Sequence, residues 1–413
     1  MHPHHRRLPQ PHGVGDGEAE RDVAGRGELL SGAGEQKHVD ALRGAGKLAV
    51  AATLGVTGIV EELHRTIASG PLILGSPLKG PAKALTGLVY GTIRGVTGLV
   101  GSGLDAALAS LAPLLGQGVP GPQREALQSV LNGLLGDYLV ATGNPLAIPM
   151  ELRTHGKKGA KLLVLLHGSS MSDGGWKRRG HDHGEALHID RGWTPVYLRY
   201  NSGLHVSQNG HELAQKLEAL VAGWPVKVSQ IALLGFSMGG LVARSACHYA
   251  ERASLSWRGR LRKLVTLGTP HHGSPLERGG NLLDTLLGVS AYSAPFARLA
   301  KVRSAGLTDL RYGFVLESHW KGRDRFALGG DPRRKLNLPH DVDCYAIAAT
   351  TAKKDRKNMP GDGLVPVASA LGIHREIRLS LRFPPERRFV VHGARHLDLL
   401  DRAAVYARLR EWL

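Results

Sequence analysis

Short apolar runs separated by amphipathic stretches pattern the chain from about residue 151 onward. Lys161-Leu-Leu-Val-Leu-Leu-His-Gly168, Thr194–Tyr200, Ile231–Leu234, Arg262–Gly268, Asp343–Ala349 and Arg388–Val391 read as strands. Nearly continuous Leu, Val, Ile and Ala leave no polar side for water, so these strands are expected to be buried on both faces. Between them, Asn209 to Ala222 sets Leu213, Leu217, Leu220 and Val221 on one helical face. Met238 to about Ala250 and Asp398 to Leu413 read as further helices. Strands alternating with helices predict an α/β fold with a mostly parallel sheet covered on both faces.

The pattern differs toward the N-terminus. Residues 1 to about 38 are polar, Gly-rich and aperiodic, which predicts a disordered leader. Ala, Gly, Leu, Val and Thr then dominate, with helices expected over 39–68, 80–115 and 123–142 and prolines between them. Gly55-Val-Thr-Gly-Ile-Val60 recurs as Gly95-Val-Thr-Gly-Leu-Val100, and Gly87, Gly91 and Gly95 have a spacing that lets helices approach closely. Arg94 and Asp105 interrupt the run. A helical hairpin packed on the following domain is therefore preferred, with peripheral membrane contact through residues 39–142 as the alternative. The expected organisation is a leader (1–38), a Gly/Ala-rich helical extension (39–150) and an α/β domain (151–413). An insertion at about 275–341 carries Leu282, Leu283, Leu286 and Leu287, then Tyr292, Phe296, Tyr312, Phe314 and Trp320, the apolar character of a cap.

Composition narrows the partners. The net charge is +18, but Arg and Lys are scattered, with only short clusters such as Arg333-Arg334-Lys335 and no nucleic-acid motif. No nucleic-acid partner is expected. The cysteines, Cys247 and Cys344, fall on a helix and in an apolar strand, so buried thiols are expected instead of a disulfide. The first residues lack the apolar core of a signal peptide, and no apolar run is long enough for a membrane span. A cytoplasmic location is the expectation, with membrane association as the variant.

One stretch carries chemistry. The run Ile231–Leu234 ends in Gly235-Phe-Ser-Met-Gly239, a Gly-x-Ser-x-Gly sequence leading into a helix. Lifting a hydroxyl above the sheet edge requires a sharp strand-to-helix turn with the Ser strained and the residues two before and two after it small. Ser237 is the candidate nucleophile. It needs a base and an orienting carboxylate, and in a fold built around such a strand-to-helix elbow the chain order is Ser, acid, His. Asp362 follows the next-to-last strand in a Gly-flanked loop, and His396 follows the last strand. The rivals are His392, which directly continues its strand, and Asp341 and Asp343, which stand at the other end of theirs. Oxyanion donors are expected from the amides of Met238, after the nucleophile, and Ser169, in the loop after the first strand. His167 reads as a structural hydrogen-bonder. The adjacent His271 and His272 lack the spacing of metal ligands, so neither metal nor cofactor is expected.

Five pieces together carry a family resemblance. They are His167-Gly168, Gly235-Phe-Ser-Met-Gly-Gly240, Gly268-Thr-Pro-His-His-Gly-Ser274, Asp362-Gly-Leu-Val-Pro366 and His396. Over about Lys161 to Leu413 the chain resembles α/β-hydrolases of the lipase/esterase group, both bacterial triacylglycerol lipases and GPI inositol-deacylase-like lipases. The resemblance implies hydrolysis of a carboxylic ester or lipid through an acyl-enzyme, without cofactor. Phe236 stands where many such lipases carry His, and Ser169 where bacterial lipases often carry an apolar residue. The segment 39–142 has no counterpart in those bacterial lipases. A membrane-associated acyltransferase and a non-catalytic scaffold of the same fold are the alternatives.

Overall fold

The computed structural model describes residues 121–274, 304–325, 331–355 and 359–413. The leader, the helices expected over 39–68 and 80–115, the Gly-Val-Thr-Gly repeat, and Leu282 to Leu287 with Tyr292 and Phe296 lie outside the described residues. In chain order the elements are α1 (Gly121–Ala141), β1 (Glu151–Thr154), β2 (Lys161–Leu166), α2 (His183–Arg191), β3 (Thr194–Arg199) and α3 (Val206–Ala222). Then come β4 (Gln230–Phe236), α4 (Met238–Arg252), β5 (Leu261–Leu267), α5 (Ala305–Asp309), β6 (Asp343–Thr350), α6 (Val367–Ala370), β7 (Arg388–His392) and α7 (Ala403–Trp412).

Among the described residues, seven strands form one sheet in the order β1-β3-β2-β4-β5-β6-β7. β1 runs antiparallel to β3, and every other pair is parallel. This is the expected α/β-hydrolase arrangement. β3 flanks β2 on one side and β4 on the other, so the connections after β2 and β4 leave in opposite directions and open a crevice at the carboxyl ends of the strands. Leu166 pairs with Gly235 and Phe236 with Leu267, which brings the ends of β2, β4 and β5 level around that crevice.

Side-chain alternation along the strands splits the core into two layers. Leu162, Val164 and Leu166 of β2 face a layer completed by α1, α3 and α4. Leu163 and Leu165 face the opposite layer, with Leu187 of α2 and Val405, Leu409 and Trp412 of α7. Val130, Leu131, Leu134, Leu135 and Leu139 of α1 belong to the first layer, as do Leu307, Leu310 and Val315 from the described part of the insertion. Cys247 and Cys344 are free and buried, and burial pushes both thiols up to about 12.

Several elements depart from their sequence patterns. α2 has few apolar residues to mark it. Asp182 caps it by accepting from the amides of Gly184 and Glu185, and Gly192 at φ 68 ends it. β1 is four half-buried residues of mixed polarity, too short to carry an apolar alternation. α3 begins at Val206, three residues before the expected start. The last helix is divided, with a 3-10 turn over His396–Leu400 ahead of α7. Asp398 folds back there to accept from the Arg395 amide, and Asp401 turns toward Arg178 at 3.2 Å. Among the described residues, no helix is long and apolar enough to cross a membrane.

Candidate active site

The turn between β4 and α4 places Ser237 at φ 52, ψ −123, a region that costs a non-glycine residue roughly 1–3 kcal/mol. The neighbouring glycines explain how the chain closes so tightly. A Cβ on Gly235 would lie 2.5 Å from both N and Cα of Gly240, and one on Gly239 would lie 2.2 Å from the carbonyl oxygen of Leu166. The two small residues therefore do not crowd each other alone. Gly235 gives way to the first turn of α4, and Gly239 lets α4 sit against the end of β2. Ser237 donates its backbone N–H to the Leu267 carbonyl, tying the elbow to β5.

Asp362 and His396 meet although 34 residues separate them. His396 Nδ1 lies 2.7 Å from Asp362 Oδ2 and carries the proton there, since a carboxylate only accepts. The other oxygen, Oδ1, accepts from the amides of Leu364 at 2.9 Å and Val365 at 2.8 Å, and the His396 amide donates to the Asp362 carbonyl at 3.1 Å. Both side chains are buried. Among the described residues His396 Nε2 has no hydrogen-bond partner, and His396 and Ser237 line the same cleft. Phe236 packs against the imidazole with ring centroids 4.8 Å apart. Behind the ring, Gly268 at φ 57 leaves the room it needs, because a Cβ there would sit 3.0 Å from His396 Cε1.

The rivals stand elsewhere. His392 ends β7 with Nε2 3.3 Å from Asp355 Oδ1. Asp343 starts β6 and pairs with Arg387 at 2.7 Å, and Asp341 precedes it at the same end of the sheet.

Met238 is the first residue of α4, where an amide has no intrahelical acceptor. Gly168 brings the β2 loop against the nucleophile, since a Cβ on it would lie 3.1 Å from the Ser237 Cβ. Within that loop Ser170, at φ 59, donates its N–H to Ser202 Oγ at 2.9 Å. Its amide is thus engaged, while the neighbouring Ser169 is buried and lines the cleft wall.

The remaining sequence candidates brace the site. His167 is fully buried, its ring stacked on Tyr200 at 4.3 Å and its Nδ1 2.8 Å from the Gly168 carbonyl. Burial lowers it to about 4, so it is neutral. His271 lies between Thr266 Oγ1 and Arg244 Nη1, and Arg333 Nη1 donates to its carbonyl. Burial holds His271 well below its ordinary range and His272 down to about 3. Two guanidinium groups beside this pair are poor company for a cation, and among the described residues no cluster of His, Cys, Asp and Glu could hold a metal ion. The stretch after β5 instead links the site together. Thr269 packs on Gly240, whose Cβ would meet its hydroxyl at 2.0 Å, and Ser274 Oγ donates to the Leu364 carbonyl in the acid loop.

The cleft has a volume of about 400 Å³ and mostly apolar walls: Met171, Phe236, Leu364, Leu397 and Leu400, together with Ala126 and Val130 of α1. The sequence reading missed these last two. Their signal was a stripe of Ala126, Val130, Gly133 and Asp137 at helical spacing, and nothing in the sequence says what that stripe touches.

Residues 208–328, less than a third of the chain, match the family model described as the PGAP1-like alpha/beta domain. No curated protein matches. Similar solved structures include the mature form of the Bacillus licheniformis lipase BlEst2, at 16% identity and TM-score 0.41 over 63% of this chain and 98% of that one. A lipase-esterase related protein from Clostridium acetobutylicum is similar at 14% identity and TM-score 0.36, over 64% and 99%. The phospholipase PlaB from Legionella pneumophila is similar at 15% identity and TM-score 0.34, over 51% of this chain and 45% of that one.

Proposed function

We propose that this chain is a serine hydrolase of carboxylic esters. The observation that carries the reading is the positive-φ Ser237 on a strand-to-helix elbow, sharing a cleft with an imidazole whose far nitrogen is held by a buried carboxylate. In the proposed reaction His396 Nε2 takes the Ser237 proton as Oγ attacks the acyl carbon. Asp362 fixes the tautomer and offsets the imidazolium charge. The amides of Met238 and Ser169 hold the oxyanion. Collapse breaks the ester C–O bond, and His396 passes its proton to the leaving alcohol. Water then attacks the acyl-enzyme, giving its proton to His396, and the acid departs as Ser237 recovers the proton. The apolar cleft walls favour an aliphatic acyl group, and a lipid or simple acyl ester fits that chemistry.

Hydrolysis of p-nitrophenyl esters by wild type and Ser237→Ala tests the reading. A loss of about 10³-fold or more in the variant is expected. Equal rates in the two proteins would refute the assignment of the nucleophile.

A further inference from the structure

We propose that helix α1 is part of the active site, with Ala126 and Val130 forming the wall against which an aliphatic acyl chain lies. Side-chain size at these positions then sets the chain length accepted. The chemistry of the ligand rests on the ester-hydrolase reading above.

Ala126, Val130, Gly133 and Asp137 are spaced i, i+4, i+7 and i+11, so they share one face of α1. The first two line the cleft that holds Ser237 and His396. The third meets the oxyanion loop, since a Cβ on Gly133 would lie 2.0 Å from Ser170 Oγ and 2.8 Å from Ser170 Cα. The fourth accepts from the Ala305 amide at 3.0 Å, joining α1 to the described part of the insertion. One helical face thus runs from the acyl side of the cleft to the loop that holds the oxyanion.

The wall is fixed at many points. Ser304 Oγ donates to the Gly133 carbonyl at 2.6 Å, and Asn201 Nδ2 donates to the Gly136 carbonyl at 3.0 Å. The buried Asn132 amide donates to Leu146 O at 2.8 Å and accepts from Ile148 N at 2.9 Å. Arg153 reaches Glu125 at 3.0 Å. A wall held this firmly cannot swing aside for a longer chain, so a larger side chain on it must shorten the space. Among the described residues, the charged ones on the cleft are Lys177 and Arg178, and Arg178 is paired with Asp401. An aliphatic chain is better placed against Ala126 and Val130 than against these cations.

The test compares p-nitrophenyl acetate with p-nitrophenyl decanoate for Val130→Phe, Ala126→Phe and Val130→Ala, each first shown to unfold cooperatively. Calorimetric binding of laurate provides a readout that needs no turnover. Either Phe variant should lower kcat/KM for the decanoate relative to the acetate by about tenfold or more and weaken laurate to match. Val130→Ala should move the ratio the other way. Ratios within about twofold of wild type in all three variants, with unchanged laurate affinity, would overturn the subsite even where hydrolysis depends on Ser237. Laurate binding weakened by Val130→Phe in a protein that hydrolyses neither ester would leave the subsite standing and overturn the hydrolase reading.

Discussion

The carboxylate of Asp362 serves two masters: Oδ2 takes the proton side of His396 at 2.7 Å, while Oδ1 closes its own loop onto the amides of Leu364 and Val365. Asp362→Asn can keep the loop closed through its single oxygen but presents an N–H to His396, which forces the imidazole into the wrong tautomer. The expected result is a fall in kcat of about 10⁴-fold with little loss of stability. Asp362→Ala should also lose roughly 1–3 kcal/mol, because two buried amides lose their acceptor. Paired kinetics and urea titrations of the two variants check the separation.

Gly133→Ala tests the brace on the Ser169–Ser170 loop, which the proposed mechanism uses to hold the oxyanion. The added methyl meets the backbone of Ser170 as well as its hydroxyl, so the loop must shift. A displacement near 1 Å at a donor can cost about 10²-fold in rate. Steady-state kinetics should show a kcat loss of at least tenfold with cooperative unfolding retained, whereas Ala at the exposed Gly259, which meets nothing, should leave kcat unchanged.

Gly239→Ala is expected to be worse for folding than for chemistry. Its methyl would press on the Leu166 and His167 carbonyls, which are strand-end backbone and cannot rotate away. Destabilisation of about 1–3 kcal/mol or more should follow, read as a lower urea midpoint. A midpoint equal to wild type would contradict the close approach of α4 to β2.

Acid should unfold this protein early. His167, His183 and His319 are held at about 4 by burial, and His272 at about 3. The unfolded chain binds these protons near pH 6.5 while the folded chain does not, so stability falls as pH drops from about 6.5 toward 4. Fully buried His167 alone accounts for roughly 3 kcal/mol across that window. Urea midpoints measured from pH 7.5 to 4.5 should decline steeply below pH 6.5, and a flat profile would be incompatible with neutral buried histidines.

Much of the site could be read before any coordinates because its parts are local. The elbow is encoded within Gly235 to Gly240, where strand, strained Ser and helix follow one another in sequence. Asp362 and His396 each follow the carboxyl end of a strand, and a parallel sheet brings those ends to one edge. α2 and the break before α7 escaped the pattern because polar caps and side-chain hydrogen bonds shape them, with little apolar periodicity to mark them.

The role of α1 belongs to tertiary structure alone. In sequence Ala126, Val130 and Gly133 are an ordinary helical stripe, and their small size is compatible with almost any partner. Only folding sets Gly133 on Ser170 and Val130 on the cleft of Ser237. Hydrophobic periodicity records that a face is buried; it carries no record of what covers it, because apolar contact is non-directional and many surfaces satisfy it equally. The sequence by itself therefore determined the six parallel strands, the elbow and the chain order of Ser237, Asp362 and His396, and the packing of a distant helix decided the shape of the space in front of them.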